Sequence, residues 1–239
     1  MYSYQSRIRY SELDATGHLK IESLLDYFQD CTTFHSEDIG RGVDYLKAGH
    51  MVWVLTSWQV VVDRYPKLGE RVTVATAPYD FKGFMGNRNF LMTDEQGNRL
   101  ACANTIWSLI DTDSGRPIKP TEEMIAPYTL EEKLDMEYAP RRIAIPSDVR
   151  QAEPVIIRPH HLDTNHHVNN GQYVRIALDC LGKECRIRQL RAEYKKQSYL
   201  NDVLTPYISS SEEGIHVIAL KDKDDTVSCV VEIMEQTEK

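Results

Sequence analysis

The segment Asp163-Thr164-Asn165-His166-His167 repeats the pattern of an earlier segment, Asp14-Ala15-Thr16-Gly17-His18. Each segment places an aspartate and a histidine four residues apart, and each precedes a run with the i, i+3, i+4, i+7 spacing of an amphipathic helix. The positions on the predicted helix faces are Ile21, Leu24, Leu25, Phe28 and Cys31 in the first run and Asn170, Tyr173, Val174, Ala177 and Cys180 in the second. The sequence therefore predicts one structural pattern written twice.

The predicted helices have recognisable ends, and strand-like sequence follows each of them. Asn169 or Asn170 suits the N-cap of the second helix, and Gly40 suits the end of the first. Beyond the helices, β-branched and aromatic residues dominate several short stretches. The predicted strands are Val52–Val62, Arg71–Ala77, Asn87–Thr93 and Leu100–Asp111 in the first copy, and Cys185–Tyr194, Val203–Ser209, His216–Leu220 and Thr226–Met234 in the second. One helix followed by antiparallel strands, twice over, predicts the α+β class.

A stretch rich in proline and charge separates the two copies. Five prolines lie between residues 117 and 146, which suits an extended connector. We therefore expect an N-terminal domain over residues 1–125, a linker over 126–150 and a C-terminal domain over 151–239. In each domain an antiparallel sheet should wrap round its helix. Joining the two sheets side by side into one larger sheet would remove an exposed edge from each.

The composition argues against several classes of function. The chain has 239 residues and a net charge of −8, which is the opposite of the balance typical of a nucleic-acid binder. Its apolar stretches are too short to span a bilayer, and Met1–Arg7 lacks the apolar region of a secretion signal. Five cysteines without C-x-x-C spacing suggest reduced thiols. We expect a cytoplasmic protein with no nucleic-acid partner and no stable membrane association.

Positive charge is nevertheless concentrated in one short stretch. It contains Lys183, Arg186, Arg188, Arg191, Lys195 and Lys196. Taken alone, the favoured interpretation is a solvated strand and loop edge. The alternative is a docking surface for an acidic partner on an otherwise acidic protein.

Three motifs make the whole chain resemble a known family, the acyl-acyl carrier protein (acyl-ACP) thioesterases, which are built as tandem hot-dog domains. The motifs are Tyr10-Ser-Glu-Leu-Asp-Ala-Thr-Gly-His18, then Trp53-Val-Leu-Thr-Ser-Trp58 with Asp63-Arg-Tyr-Pro66, and finally Asp163-Thr-Asn-His-His-Val-Asn-Asn170. The resemblance implies a double hot dog with the acyl-chain pocket in the first domain. It places catalysis in the second domain, at Asp163, Asn165 and His167. The implied partner is an acyl carrier protein that carries a fatty acyl-phosphopantetheine, and no cofactor is implied.

Two features set this chain apart from the plant members that it resembles. Those members carry a transit peptide, which this sequence lacks, so it is similar to a bacterial member. They also carry a Glu-Cys pair in the strand after the helix, where Gln197 and Ser198 stand here. A mechanism that needs that glutamate or a cysteine nucleophile cannot operate unchanged. The difference favours a water activated by Asp163, and leaves Gln197 and Ser198 as candidate assisting residues. For docking of the carrier protein, the candidates are Arg186, Arg188, Arg191, Lys195 and Lys196.

The catalytic candidates suit thioester hydrolysis, which needs an activated water and hydrogen-bond donors for the developing oxyanion. Asp163 can remove the proton, Asn165 can orient the water, and His167 can donate to the carbonyl. If the segment runs extended, these three side chains share one face and His166 points away. The N-terminus of the next helix would add a site for an anion.

A plainer interpretation of the same segment is a polar loop that caps the next helix. The first copy tests it, because Thr16 replaces Asn165 there. We therefore expect no catalysis in the first copy, and structural roles for Asp14 and His18. The histidines near Asp163 match no zinc-binding spacing, so no metal is expected. They are His160, His161, His166 and His167.

Two rival functions remain open at this stage. One is hydrolysis of acyl-coenzyme A instead of the acyl carrier protein. The other is a non-catalytic hot-dog protein that binds acyl groups. The sequence also leaves open whether the chain forms a homodimer, whether Asp163 attacks the carbonyl itself, and which chain length is preferred.

Overall fold

A computed structural model describes residues 1–182 and 185–236 of the chain. The chain divides into two compact units. The first contains Met1–Thr56 and Val60–Tyr138, and the second contains Ser57–Gln59 and the chain from Ala139 onward. Residues 126–149 contain neither helix nor strand, and the division falls within this segment.

The first unit is built on an antiparallel sheet with one long helix packed against it. Its strands follow the order β1-β3-β4-β5-β2. Strand β2 belongs to this unit except for Ser57–Gln59. The long helix α1 packs against β3 and β1. In chain order the elements are β1 (Tyr2–Arg7), α1 (Ile21–Asp38), α2 (Val43–Ala48), β2 (Met51–Val62), β3 (Arg71–Lys82), β4 (Met85–Asp94), β5 (Arg99–Asp111) and α3 (Glu122–Ile125).

Helix α1 forms because its apolar residues recur on one face, and the structure confirms that face. The predicted positions Ile21, Leu24, Leu25, Phe28 and Cys31 are all buried. The helix ends at Asp38, as expected from Gly40, whose φ of +69° is the left-handed conformation that glycine adopts without steric cost. Burying such a face against a sheet is the main source of stability for a helix of this length.

The second unit repeats the plan with a shorter helix. Its strands follow the order β8-β11-β10-β9-β6, and β7 also pairs with β9. Helix α4 packs against β10 and β11. The elements are β6 (Arg150–Gln151), β7 (Val155–Ile156), α4 (Asn170–Asp179), β8 (Ile187–Tyr194), β9 (Val203–Ser210), β10 (Ile215–Lys221) and β11 (Val227–Glu235). Asn169 caps α4, because its side chain accepts the Gly171 N–H at 2.8 Å.

The predicted α+β class and the repeat are confirmed by these elements. All eight predicted strands are present, and their ends agree within two residues except that β3 continues to Lys82. The short elements α2, β6 and β7 were not expected from the sequence. Lys183 of the basic stretch lies outside the described residues. Among the described helices, none combines the length and apolar character that a membrane crossing requires.

Candidate active site

The Asp163–His167 segment is a tight turn that leads into α4. The Asp163 N–H donates to the His167 carbonyl at 2.8 Å, and the His166 N–H donates to the Asp163 carbonyl at 3.1 Å. Leu162 and Val168 pair as an isolated β-bridge at the base of the turn. The segment is therefore not extended, and strand alternation does not arrange the three candidate side chains.

The backbone of His166 explains the reversal. Its φ is +61°, in the left-handed region, and the matching residue of the first copy is Gly17 with a φ of +81°. Crowding of the β-carbon makes this conformation cost about 1–2 kcal/mol for a residue other than glycine. The hydrogen bonds of the turn offset that cost, whereas an extended strand has no place for a positive φ.

The Asp163 carboxylate is held by the turn itself. Its Oδ1 accepts the N–H of Asn165 at 2.8 Å and the N–H of His167 at 3.2 Å. Within the described part of the chain, no hydrogen bond reaches Oδ2. The two amides therefore fix the direction of the carboxylate and leave its second oxygen available to a water or a substrate.

The His167 ring is supported by Tyr199. The two rings meet edge to face, with centroids 5.0 Å apart and an interplanar angle of 76°. The Tyr199 backbone N–H is held by Asp202 Oδ2 at 2.8 Å, and its hydroxyl lies 3.5 Å from Gln197 Oε1. Gln197 is thereby linked to His167 through Tyr199. The sequence gives no signal for this role of Tyr199. Nothing near it shows that an exposed aromatic residue will contact a histidine 32 positions earlier in the chain.

Asn165 contributes to the turn through its backbone, and its side chain is exposed. Among residues 1–182 and 185–236, no hydrogen bond joins this side chain to the Asp163 carboxylate or to the His167 ring. The structure thus brings Asp163 and His167 into one turn with the Asn165 amide. It leaves the carboxamide directed to no protein partner in that part of the chain.

Ser198 lies directly beside the turn but its hydroxyl is committed elsewhere. Its carbonyl accepts the Val168 N–H at 3.0 Å, which fixes the β8–β9 loop against the turn. Its side chain is 2% exposed and donates to Ser228 Oγ at 3.2 Å on β11. Of the two candidate assisting residues, Gln197 has an exposed side chain and Ser198 has a buried one.

Three of the N–H groups at the start of α4, those of Gly171, Gln172 and Tyr173, are already bonded to Asn169. Asn169 takes the Gly171 N–H with its side chain, and its carbonyl accepts the N–H groups of Gln172 at 2.9 Å and Tyr173 at 3.4 Å. Oxyanion stabilisation by these three amides is therefore ruled out as long as the cap is in place.

The first copy reproduces the turn bond by bond. The Asp14 N–H donates to the His18 carbonyl at 2.8 Å, and Asp14 Oδ1 accepts the N–H groups of Thr16 at 2.9 Å and His18 at 3.0 Å. One feature differs. The Thr16 hydroxyl donates to Asp14 Oδ1 at 2.7 Å and lies 2.9 Å from His18 Nδ1. The Thr16 hydroxyl thus contacts both the Asp14 carboxylate and the His18 imidazole. These are the two groups that would have to be available for catalysis in this turn.

These hydrogen bonds also change the acidity of Asp14. Partial burial acts to raise the pKa of its carboxyl group. The hydrogen bonds from His18 and Thr16 outweigh that effect and hold the pKa below its ordinary value. A carboxylate with a lowered pKa is a weaker base, so the first copy is suited to a structural role.

The basic stretch is less available than its sequence suggested. Arg191 pairs with Glu232 at 2.7 Å and donates to the carbonyls of Pro140 at 2.5 Å and Arg142 at 3.2 Å. The other pairs are Lys195 with Glu193 at 3.4 Å and Lys196 with Asp222. Three of the five docking candidates therefore already pair with the protein's own acidic groups, which come from β8, β11 and the β10–β11 turn. Arg186 and Arg188 are exposed.

A buried cationic cluster in the first unit was missed by sequence analysis. Arg88 is 6% exposed; it lies 3.0 Å from His35 Nδ1, donates to Thr76 Oγ1 at 3.2 Å and faces the Tyr128 ring. Burial lowers the pKa of Arg88 to about 10. Burial and then the charge of Arg88 lower the pKa of His35 to about 4. The available signal was Arg88 itself, at a position of β4 that period-two alternation directs to the sheet interior.

Burial raises the pKa of the thiols of Cys102, Cys180 and Cys229 above the ordinary value. Burial raises the pKa of the Cys31 thiol to about 12, which disfavours the reactive thiolate. Across residues 1–182 and 185–236, no three metal-ligating groups gather at one place.

Solved structures share this arrangement of strands and helices. An acyl-ACP thioesterase from Bacteroides thetaiotaomicron superposes with a TM-score of 0.88 at 24% identity, covering 98% of this chain and 97% of that one. A 12:0-ACP thioesterase from Umbellularia californica gives 0.87 at 19% identity, covering 100% and 98%. At these identities the likeness shows the fold, an antiparallel sheet with few helices of the hot-dog kind.

Family models identify the chain more closely. Residues 1–128 match the acyl-ACP thioesterase N-terminal domain, and residues 146–237 match the C-terminal domain of the same family. The chain belongs to the acyl-ACP thioesterase family. A palmitoyl-acyl carrier protein thioesterase of Gossypium hirsutum is 27% identical over 91% of this chain. An acyl-[acyl-carrier-protein] hydrolase of Cuphea viscosissima is 25% identical over 92%. The chain spans 58% of the length of each of these two relatives.

Proposed function

We propose that this protein hydrolyses fatty acyl-acyl carrier protein thioesters, releasing a free fatty acid and the holo-carrier protein. Membership of the family and the activities for which its relatives are named support the substrate class. The observation that carries the mechanism is the Asp163 carboxylate, whose Oδ1 is fixed by two amides while Oδ2 is available. In this mechanism Asp163 removes a proton from the attacking water, and the thiolate of phosphopantetheine leaves.

Asn165 and His167 assist Asp163 in this proposal. The exposed Asn165 carboxamide both donates and accepts, so it can hold the water beside Asp163 Oδ2. His167 donates to the thioester carbonyl as negative charge develops, and Tyr199 holds its ring in place. Asn169 occupies the amides of Gly171, Gln172 and Tyr173, so in this proposal the oxyanion is stabilised mainly by the side chains of Asn165 and His167.

Gln197 and Ser198 have separate roles in the proposal. Gln197 lies next to the Tyr199 hydroxyl and orients the ring that supports His167. Ser198 is a scaffold, because its carbonyl holds Val168 and its hydroxyl holds Ser228. The plant Glu-Cys pair is thus replaced here by one positioning residue and one structural residue.

The larger architecture follows from the same family membership. We propose a double hot dog whose two sheets join into one, with an N-terminal domain over 1–125, a linker over 126–150 and a catalytic domain over 151–239. The acyl-chain pocket belongs to the N-terminal domain in this proposal. The cytoplasmic location and the homodimer remain predictions that a fractionation and a sedimentation measurement can check.

The carrier protein is proposed to dock on the exposed pair Arg186 and Arg188. An acidic helix of the carrier protein would complement these charges and speed the encounter. The choice of Arg186 and Arg188 rests on their exposure. Arg191, Lys195 and Lys196 are secondary candidates for the same surface, and each also pairs with an acidic group of the chain.

Thiol release from a graded series of straight-chain acyl thioesters tests the function. Each acyl group is offered to the wild-type protein on acyl carrier protein and on coenzyme A. We expect turnover with at least one chain length and a higher kcat/KM for the carrier-protein form. A higher kcat/KM for coenzyme A would replace the proposed substrate by the rival one. Binding without thiol release at every chain length would contradict the proposal and support a non-catalytic acyl-binding protein.

A further inference from the structure

A serine, a histidine and a glutamate line up across three neighbouring strands of the second unit. Ser210 is the last residue of β9, His216 is the second of β10, and Glu235 is the last of β11. The antiparallel register places Ser210 directly opposite His216. The Glu235 N–H donates to the Gly214 carbonyl at 2.9 Å, which fixes the end of β11 beside the β9–β10 turn. None of these residues has a role in the proposed thioester mechanism.

The three side chains form a continuous hydrogen-bonded chain. Ser210 Oγ lies 2.7 Å from His216 Nδ1, and His216 Nε2 lies 2.7 Å from Glu235 Oε1. Ionised Glu235 only accepts hydrogen bonds, so Nε2 of His216 must carry a proton. In the neutral imidazole Nδ1 is then an acceptor, and the Ser210 hydroxyl donates to it. This is the proton arrangement that a serine nucleophile needs.

Burial and exposure are distributed as such a nucleophile requires. His216 is 3% exposed, so water does not compete for its nitrogens. Glu235 is partly buried, and Ser210 is exposed at the end of its strand. The basic nitrogen is therefore protected while the hydroxyl that it activates is accessible to a small molecule from solution.

We propose that Ser210, His216 and Glu235 form a second nucleophilic site that reacts with small activated carboxylic esters. Ser210 Oγ bonds to the acyl carbon, its proton passes to His216 Nδ1, and the bond from the acyl carbon to the leaving alkoxide breaks. His216 returns the proton to the departing alcohol, and Glu235 stabilises the imidazolium between the two transfers. Water then attacks the acyl-serine by the same path and releases the carboxylic acid.

Labelling of the full-length wild-type protein with a fluorophosphonate ester tests the proposal, because this reagent phosphonylates activated serines. Ser211 is a matched internal control, since it is adjacent and exposed but its hydroxyl accepts the Ile215 N–H at 3.2 Å. Peptide mapping by mass spectrometry gives the labelling rate at each serine. We expect Ser210 to label about 10²–10⁴-fold faster than Ser211, the range that general-base assistance supplies. Equal rates at the two serines would overturn the proposal.

Variants connect the reactivity to the hydrogen-bonded chain. His216→Gln and Glu235→Gln should each slow labelling at Ser210 at least about 10-fold, and Ser211→Ala should leave it unchanged. Thermal unfolding confirms that each variant is folded at the labelling temperature. Full labelling of Ser210 in folded His216→Gln would overturn the proposal.

Hydrolysis of p-nitrophenyl acetate gives a second test. This activity should persist in Asp163→Asn and should be abolished by Ser210→Ala. Retention of the hydrolysis in Ser210→Ala would also overturn the proposal.

Discussion

The two turns, Asp14–His18 and Asp163–His167, have the same backbone and differ in what their side chains do. In both, the aspartate Oδ1 accepts two backbone N–H groups of its own turn. In the first turn the Thr16 hydroxyl also bonds the aspartate and lies against the histidine. In the second turn the matching residue is Asn165, whose side chain makes no such bond within the described residues.

We infer from this difference that an aspartate and a histidine at this spacing are not sufficient to activate a water. The turn geometry is a scaffold that both copies use to lead into their helices. In both turns the aspartate Oδ2 accepts no hydrogen bond from the described residues. The copies differ in the added hydrogen bond that Thr16 donates to Asp14 Oδ1 and in the contact of its hydroxyl with His18. An added hydrogen bond to a carboxylate stabilises the ionised form, which makes the carboxylate a weaker base.

The largest effect on kcat/KM is expected when Asn165 of the second turn is replaced by threonine, the residue at the matching position of the first turn. In Asn165→Thr the new hydroxyl should bond Asp163 Oδ1, as Thr16 bonds Asp14, and the carboxamide is lost at the same time. We expect kcat/KM for acyl carrier protein hydrolysis to fall about 10²-fold. The steady-state rate of thiol release measures this change.

Thr16→Asn is the control for that exchange. It should leave kcat/KM at the wild-type value, because the first turn takes no part in the reaction. An Asn165→Thr variant with wild-type kcat would show that the residue at this position does not distinguish the two turns.

The next effect concerns the support that His167 receives from Tyr199. An edge-to-face ring pair contributes about 0.5–1.5 kcal/mol, and about 1.4 kcal/mol corresponds to a tenfold change in rate. Tyr199→Ala should therefore lower kcat up to about 10-fold, with little change in KM. Tyr199→Phe keeps the ring and should retain most of the activity.

Thermal unfolding distinguishes positioning of His167 from a general loss of structure. Tyr199 is 50% exposed, so Tyr199→Ala should keep an unfolding temperature close to that of the wild type while kcat falls. A kcat as low in Tyr199→Phe as in Tyr199→Ala would contradict the proposed role of the ring.

A smaller effect is expected from the proposed docking surface in the second unit. Arg186→Gln combined with Arg188→Gln should raise KM for the acyl carrier protein about 3–10-fold at low salt, since exposed charge pairs contribute about 0.2–1 kcal/mol each. The difference should disappear as salt screens the charges. Arg116→Gln, an exposed arginine of the first unit, is the matched control. An unchanged KM in the double variant would move the docking surface elsewhere.

The smallest effect on activity, and a distinct effect on stability, is expected from His35 in the first unit. Its pKa is lowered to about 4 from 6.5 by burial and by Arg88. Between these values the unfolded chain binds a proton at His35 that the folded chain does not bind. The stability that this residue contributes is therefore complete above pH 6.5 and is lost as the pH falls towards 4.

His35→Gln removes this titration. Between about pH 7 and about pH 4 the wild type should lose about 1–3 kcal/mol of unfolding free energy relative to the variant. Urea unfolding at a series of pH values measures the difference. Parallel pH dependences for the two proteins would show that His35 is not buried in its neutral form.

The sequence predicted the elements well because each depends on local patterns. The buried face of α1, its end near Gly40 and the cap at Asn169 follow from spacing and from the preferences of single residues. The repeat was equally visible, because both turns and both helices keep the same offsets.

The site was less predictable because its details depend on contacts between distant segments. The turn at His166 replaced the expected extended segment, since a histidine with a positive φ gives no pattern in the sequence. The Tyr199–His167 contact, the pairing of Arg191 with Glu232 and the burial of Arg88 all join residues from separate strands or loops. The amino-acid sequence shows which residues are charged, but it does not show which partners neutralise them in the fold.

The central claim is that the second turn activates the water and the first does not. Single-turnover hydrolysis of an acyl carrier protein thioester by Asp163→Asn and by Asp14→Asn tests it most directly, because this measurement isolates the chemical step from binding and release. We predict that Asp163→Asn slows this step about 10²–10⁴-fold and that Asp14→Asn leaves it at the wild-type rate. A wild-type rate in Asp163→Asn, or an equal loss in both variants, would contradict the account.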